Sequence, residues 1–195
     1  MSGAPTRRLF FALWPEEAQR AALEHAAAKT VRHCGGRPVP ESKLHVTLAF
    51  LGSVPQSRIG ELSAIAGRVA AGFPRDALPL VIDLEGFEHW GKPQLLTVLE
   101  RKEEAPGAPA SGVAELARIL GRETAAAGFS PDLKPFRVHV TVARKVARAP
   151  RSSEMRKVQW SFDAFALIES RTLAEGPVYS VVESYVLGGA EKVRT

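Results

Sequence analysis

Two histidines stand in nearly the same octapeptide. Lys43-Leu44-His45-Val46-Thr47-Leu48-Ala49-Phe50 and Arg137-Val138-His139-Val140-Thr141-Val142-Ala143-Arg144 share seven positions: basic, aliphatic, His, Val, Thr, aliphatic, Ala. Five histidines and eight threonines in 195 residues give roughly 0.2 His-x-Thr pairs by chance. Two pairs in matching contexts are therefore read as an internal repeat.

The spacing has a physical consequence. In a strand, residues i and i+2 face the same side. His45 shares a face with Thr47, and His139 with Thr141, while Val46, Leu48, Val140 and Val142 face the other way and can pack. A polar strand face turned to solvent would explain one such motif. Two are better explained if the strands pair about a pseudo-two-fold axis and their polar faces meet in a cleft. A phosphodiester between two imidazoles then has what in-line hydrolysis requires: a base on one side for water and an acid on the other for the leaving oxygen. Histidine suits either role, because its ordinary pKa of about 6.5 allows both forms near neutral pH. The two threonine hydroxyls can donate to the non-bridging oxygens, where charge builds up.

The elements that must position these residues follow from the hydrophobic pattern. Arg7–Leu13 reads as a short buried strand. Pro15 opens an alanine-rich helix, with Glu16 and Glu17 in its first turn, that runs to about Arg32 and ends at Gly35-Gly36. Leu44–Leu51 is a strand. A second helix carries Ile59, Leu62, Ile65, Ala66 and Val69 at helical spacing. Leu78–Leu84, extending toward Trp90, and Leu95–Leu99 are strands around a turn at His89–Pro93. The segment Ala105–Gly112 reads as a loop, Val113–Ala127 as a helix, and Phe136–Ala143, Val158–Ile168 and Val178–Leu187 as strands. The order β-α-β-α-β-β-α-β-β-β, with frequent hairpins, predicts an α+β fold with antiparallel or mixed sheets.

Composition narrows the class. The net charge is +5, which favours anionic partners. Between Lys134 and Lys157 eight basic residues, among them Arg137, Arg144, Lys145, Arg148 and Arg151, face a single acid, Glu154. Their place around the second motif points to a phosphate-facing surface. A single cysteine, Cys34, excludes an internal disulfide and a multi-thiolate metal site, and reads as a small buried or half-buried residue. No apolar run is long enough to span a bilayer, and the apolar stretch ending at Pro15 is too short for a signal peptide, so a cytoplasmic protein is expected. There is no P-loop, no Gly-x-Ser-x-Gly and no His-Glu-x-x-His. His25 and His33 read as surface residues of the first helix. Phe11, Trp14, Trp90 and Trp160 read mainly as core, with one near the cleft available as a base platform.

At this point the chain resembles the 2H phosphoesterase superfamily, and within it the LigT/ThpR-type RNA 2′,3′-cyclic phosphodiesterases, also called 2′-5′ RNA ligases. The resemblance runs over the opening segment Arg7–Pro15, the first motif from Val39 to Gly52, the second from Phe136 to Arg144, and a closing hairpin from Phe165 to Leu187 with Glu169-Ser170-Arg171 and Gly176–Tyr179. Family members often have Pro before the second histidine, where this chain has Val138. The resemblance implies one bilobal domain over residues 1–195: two pseudo-symmetric lobes, antiparallel sheets lining a central cleft and helices outside. It implies hydrolysis of a terminal 2′,3′-cyclic phosphate to a 2′-phosphomonoester, with His45 as proton donor, His139 as proton acceptor and Thr47 and Thr141 on the phosphate. No cofactor and no metal are implied, and the reverse 2′-5′ joining would need no ATP. Arg144 is a substrate contact by resemblance, with Phe50, Lys43 and Arg137 as further candidates. Strict alternation puts position 144 opposite His139, so a strand end or a bulge must bring Arg144 to the cleft. The expected partner is RNA with a cyclic-phosphate end, such as a tRNA fragment, bound by a monomer away from membranes.

Two other readings stay open. One is a related 2H activity on a different 2′-linked or small cyclic phosphate. The other is an RNA-end-binding module whose histidines do little chemistry.

Overall fold

A computed structural model describes residues 5–92, 94–100, 111–131, 135–174 and 176–189. The expected loop at 105–112 therefore lies almost wholly outside the described residues, as does Lys134. Nine strands and three α-helices are present among the described residues: β1 (Thr6–Leu13), α1 (Glu17–Cys34), β2 (Arg37–Pro38), β3 (Val46–Pro55), α2 (Ile59–Gly72), β4 (Leu80–Trp90), β5 (Leu95–Glu100), α3 (Gly112–Ala126), β6 (His139–Arg144), β7 (Glu154–Phe162), β8 (Ala164–Leu173) and β9 (Gly176–Val186). They form two antiparallel sheets, one in the order β3-β1-β8-β9 and the other β2-β6-β5-β4-β7. The fold is α+β, as expected.

β1 shows why two sheets can share one cleft. It is central in its sheet and apolar on both faces. Leu9, Phe11 and Leu13 face the main core, which continues through Ile82, Val98, Val140 and Trp160 of the other sheet. Phe10 and Ala12 face the opposite way and join Ala166 and Ile168 in a smaller cluster, with Trp14, Phe50 and Tyr179 packed against it. That second face is the floor of the cleft.

The helices lie on the outer sides. α1 packs on β6 and β7, α2 on β9, and α3 on β3. The Trp160 indole N–H of β7 donates to the Gln19 carbonyl of α1 at 2.8 Å, which ties helix to sheet and satisfies the polar end of a fully buried side chain. α1 begins with a reciprocal capping box between Glu16 and Gln19 and ends at Gly35, at φ +66°. The next residue, Gly36, has room for no Cβ: one would lie 2.9 Å from Val146 and 3.1 Å from the Arg144 carbonyl. This close approach brings β2 alongside β6.

One expectation is corrected. Val158–Ile168 is not one strand. The chain breaks at Asp163, and its two halves belong to different sheets, β7 beside β4 and β8 beside β1. The Asp163 carbonyl accepts from the Leu187 N–H at 2.8 Å. Continuous alternation of Phe162, Ala164, Ala166 and Ile168 hides the break, because both strands bury apolar residues. His89 and Trp90, read as part of a turn, instead end β4.

Candidate active site

Both motifs reach the same cleft, of about 660 Å³, lying between the two sheets. β6 starts at His139, whereas His45 immediately precedes β3. His45, Thr47, His139 and Thr141 all line the cleft, as do Lys43, Phe50 and Arg144. The bulge that Arg144 needed is present. Between β5 and β6, Thr97 pairs with Thr141 and Leu96 with Ala143, so Val142 is the extra residue. Arg144 then pairs with Leu95, whose side chain shares a face with Thr97, and comes out on the face of Thr141.

Arg137 is brought elsewhere. Its guanidinium pairs with Glu88 at 3.1 Å and does not line the cleft. Its carbonyl, rather than its charge, meets the site.

The imidazoles are held in parallel ways. His45 Nδ1 lies 2.7 Å from the Lys43 carbonyl, and His139 Nδ1 lies 2.8 Å from the Arg137 carbonyl. A carbonyl only accepts, so each Nδ1 carries hydrogen and the Nε2 of each neutral ring is unprotonated. His45 Nε2 is 3.1 Å from Thr47 Oγ1. In the neutral ring that hydroxyl donates to Nε2; in the imidazolium Nε2 donates to it.

Their surroundings differ. His45 sits among Phe10, Trp14 and Tyr179, with ring centroids 5.1, 5.5 and 5.4 Å away. Burial there pushes its pKa down to about 4, against the raising effect of the Lys43 carbonyl, and the charges of His139 and Arg144 add to the lowering. His139 meets one aromatic ring, Trp90, at 4.8 Å.

The cleft is cationic. Arg8, Arg37, Lys43, Arg144 and Lys145 line it, and no carboxylate does among the described residues. Arg8 lies over the Phe50 ring at 4.9 Å, a stacked cation–aromatic pair at the cleft wall. Among the described residues no group of three or more His, Cys, Asp or Glu side chains is placed to hold a metal ion. No helix of the described residues is long and apolar enough to cross a membrane.

Sequence reasoning missed the aromatic cage, Arg8 and Arg37. Alternation could have paired Phe10 with the cleft, since Phe11 reads as core. Tyr179 could not have been found this way, because its place depends on β9 pairing with β8 opposite Ser170.

Comparison with known proteins agrees with this geometry. The family model described as LigT like Phosphoesterase matches residues 13–94 and 104–179. The RNA 2′,3′-cyclic phosphodiesterase of Thermus thermophilus is 35% identical over 187 residues, covering 93% of this chain and 91% of that protein. The RNA 2′,3′-cyclic phosphodiesterase of Escherichia coli is 31% identical, covering 73% of this chain and 74% of its own. The crystal structure of Escherichia coli LigT complexed with 3′-AMP superposes with a TM-score of 0.78 at 26% identity, over 94% of this chain and 99% of that one. With its two sheets, its paired His-x-Thr segments and a family match over most of its length, the chain belongs to the LigT-like phosphoesterases, a 2H phosphoesterase family of enzymes.

Proposed function

We propose that this enzyme opens the 2′,3′-cyclic phosphate at an RNA end to a 2′-phosphomonoester, by acid–base catalysis between His45 and His139. The observation that carries the reading is that both imidazoles line one cationic cleft, each with Nδ1–H committed to a backbone carbonyl and Nε2 left for chemistry. The names of the relatives supply the substrate class, and LigT's complex with 3′-AMP supports a nucleotide in such a cleft.

In this reading His139 Nε2 takes a proton from water as its oxygen attacks phosphorus. The bond from phosphorus to the 3′ oxygen breaks, and His45 gives that oxygen its proton. The product carries a 2′-phosphate and a 3′-hydroxyl. His139 is left charged and His45 neutral, and exchange with solvent resets both. Thr47 and Thr141 donate to the non-bridging oxygens. Arg144 and Lys43 offset the charge on the phosphate.

The cage imposes a condition. The free cleft holds His45 neutral at pH 7, so an acid role requires the substrate's own negative charge to raise it. The same observation favours a second assignment, with His45 as base and His139 as acid. A nucleotide aryl ester separates the two, because its leaving group departs without a proton. If His45 is the acid, His45→Ala regains turnover on the aryl ester and His139→Ala does not; the exchanged result reverses the roles.

Product identity tests the main reading. Phosphorus NMR of a turned-over cyclic-phosphate RNA is expected to show the 2′-monoester; a 3′-monoester would overturn the stated bond cleavage. Reversible ATP-independent 2′-5′ joining belongs to the same chemistry run backward. A cytoplasmic monomer of one bilobal domain acting on tRNA fragments completes the proposal. The single domain is supported by the main core continuing from one sheet into the other; location is checked by fractionation and the monomer by native mass.

A further inference from the structure

His45 is held by packing on several sides, whereas His139 stands at the first residue of its strand with one aromatic neighbour. What holds His139 is a closed ring of four residues. Its Nδ1–H donates to the Arg137 carbonyl at 2.8 Å. The Arg137 guanidinium meets the Glu88 carboxylate at 3.1 Å. The same carboxylate accepts from the Trp90 indole N–H at 2.6 Å. The Trp90 ring then returns to the His139 ring, at 4.8 Å and 48°.

The sheet makes the ring possible. Glu88 pairs with Thr97, and Thr97 with Thr141, across β4, β5 and β6. Trp90 follows Glu88 by two residues and so projects from the same face. The Thr97 hydroxyl, fully buried, donates to the Glu88 carbonyl at 3.2 Å and fixes the backbone beneath the carboxylate.

Resting on the two-histidine reading above, we infer that Glu88 is a positioning residue for His139: it fixes both groups that hold the imidazole, Trp90 by hydrogen bond and Arg137 by charge. Stability does not explain the arrangement. The Glu88 and Arg137 side chains are 37% and 46% exposed, and ion pairs this open contribute little to folding. Catalysis does explain it, because a ring free to turn spends less time aimed at the reacting water, and small misplacements cost large factors in rate.

The test is a set of single and double variants assayed on a cyclic-phosphate RNA. Glu88→Ala is expected to lower kcat about 10-fold with KM within about twofold of wild type. Trp90→Phe, which keeps the ring and loses the N–H, is expected to lose several-fold. Glu88→Gln, which keeps an acceptor for Trp90 and releases Arg137, falls between wild type and Glu88→Ala. In a His139→Ala background, Glu88→Ala is expected to add no further loss, since it acts through His139. A Glu88→Ala enzyme with wild-type kcat, or one that loses the same factor in both backgrounds, overturns the inference while His139→Ala inactivity leaves the two-histidine reading standing. Full activity of His139→Ala would overturn both.

Discussion

Phe50 and Arg144 occupy the same place in the two motifs, and a bulge at the same position turns each onto the cleft. In β3, Thr47 pairs with Ala12 and Ala49 with Phe11, leaving Leu48 extra; in β6, Thr141 pairs with Thr97 and Ala143 with Leu96, leaving Val142 extra. Both bulge residues are buried. The repeat therefore extends beyond side-chain identity to a shared irregularity of backbone, and what differs is the group delivered. One lobe presents an aromatic ring under Arg8, the other a guanidinium.

That difference predicts a division of labour. Arg144→Ala is expected to lower kcat/KM by roughly 10-fold or more, the loss of a charged hydrogen bond worth about 1.5–3 kcal/mol. Arg144→Lys restores it only in part, because an ammonium does not reproduce the planar fork. Steady-state kinetics on a cyclic-phosphate RNA check this, and an unchanged kcat/KM would take Arg144 out of the substrate site.

The cage around His45 predicts a pH dependence. In the free enzyme burial holds the ring neutral down to about pH 4, so kcat/KM should carry a limb near that pH. In kcat, with a phosphate anion in the cleft, the same limb should move to higher pH. Paired pH profiles of the two constants measure it. A kcat/KM profile with no limb near pH 4 would mean that His45 is not desolvated.

Stability should follow the same group. The folded pKa lies below the unfolded value of 6.5, so the unfolded chain binds the extra proton first. The contribution is complete above pH 6.5 and is lost as pH falls toward 4. Its size is about 2–3 kcal/mol, allowing for the solvent access a half-buried ring keeps. Denaturant unfolding at pH 7 and pH 4 should show wild type losing that much more than His45→Gln. Equal losses would contradict it.

The basic run predicts a binding track beyond the cleft. The Ala147 and Arg148 N–H groups donate to the Cys34 carbonyl at 3.1 and 3.2 Å, seating the loop after β6 on the end of α1 near His33. Arg148 and Arg151 are exposed there. Replacing both by Ala should weaken binding of a cyclic-phosphate RNA and flatten its salt dependence, by about 0.7 in slope for each phosphate of a single strand that the variant no longer neutralises. Turnover of a 2′,3′-cyclic mononucleotide should not change. An unaltered salt slope would remove the loop from the RNA path.

Much of this site was legible because strand periodicity carries it. His45, Thr47, His139 and Thr141 could be placed on cleft faces from i, i+2 spacing alone, and the need for a bulge at Arg144 followed from the same rule. The bulge in β3 did not, since Phe50 is apolar and fits either face of a buried strand. The pairing of Arg137 was not legible, because its partner Glu88 is distant in sequence and meets it only through β5. The division of Val158–Ile168 between two sheets was hidden for the same reason, as pairing is a long-range property that local alternation does not encode.

The most direct test is turnover of a short RNA bearing a 2′,3′-cyclic phosphate by wild type, His45→Ala and His139→Ala. Wild type is expected to yield the 2′-phosphate, and each variant to fall by roughly 100-fold or more while still binding the RNA. A wild type that binds the RNA and leaves the cyclic phosphate intact, or a variant that turns over at the wild-type rate, would contradict the two-histidine account.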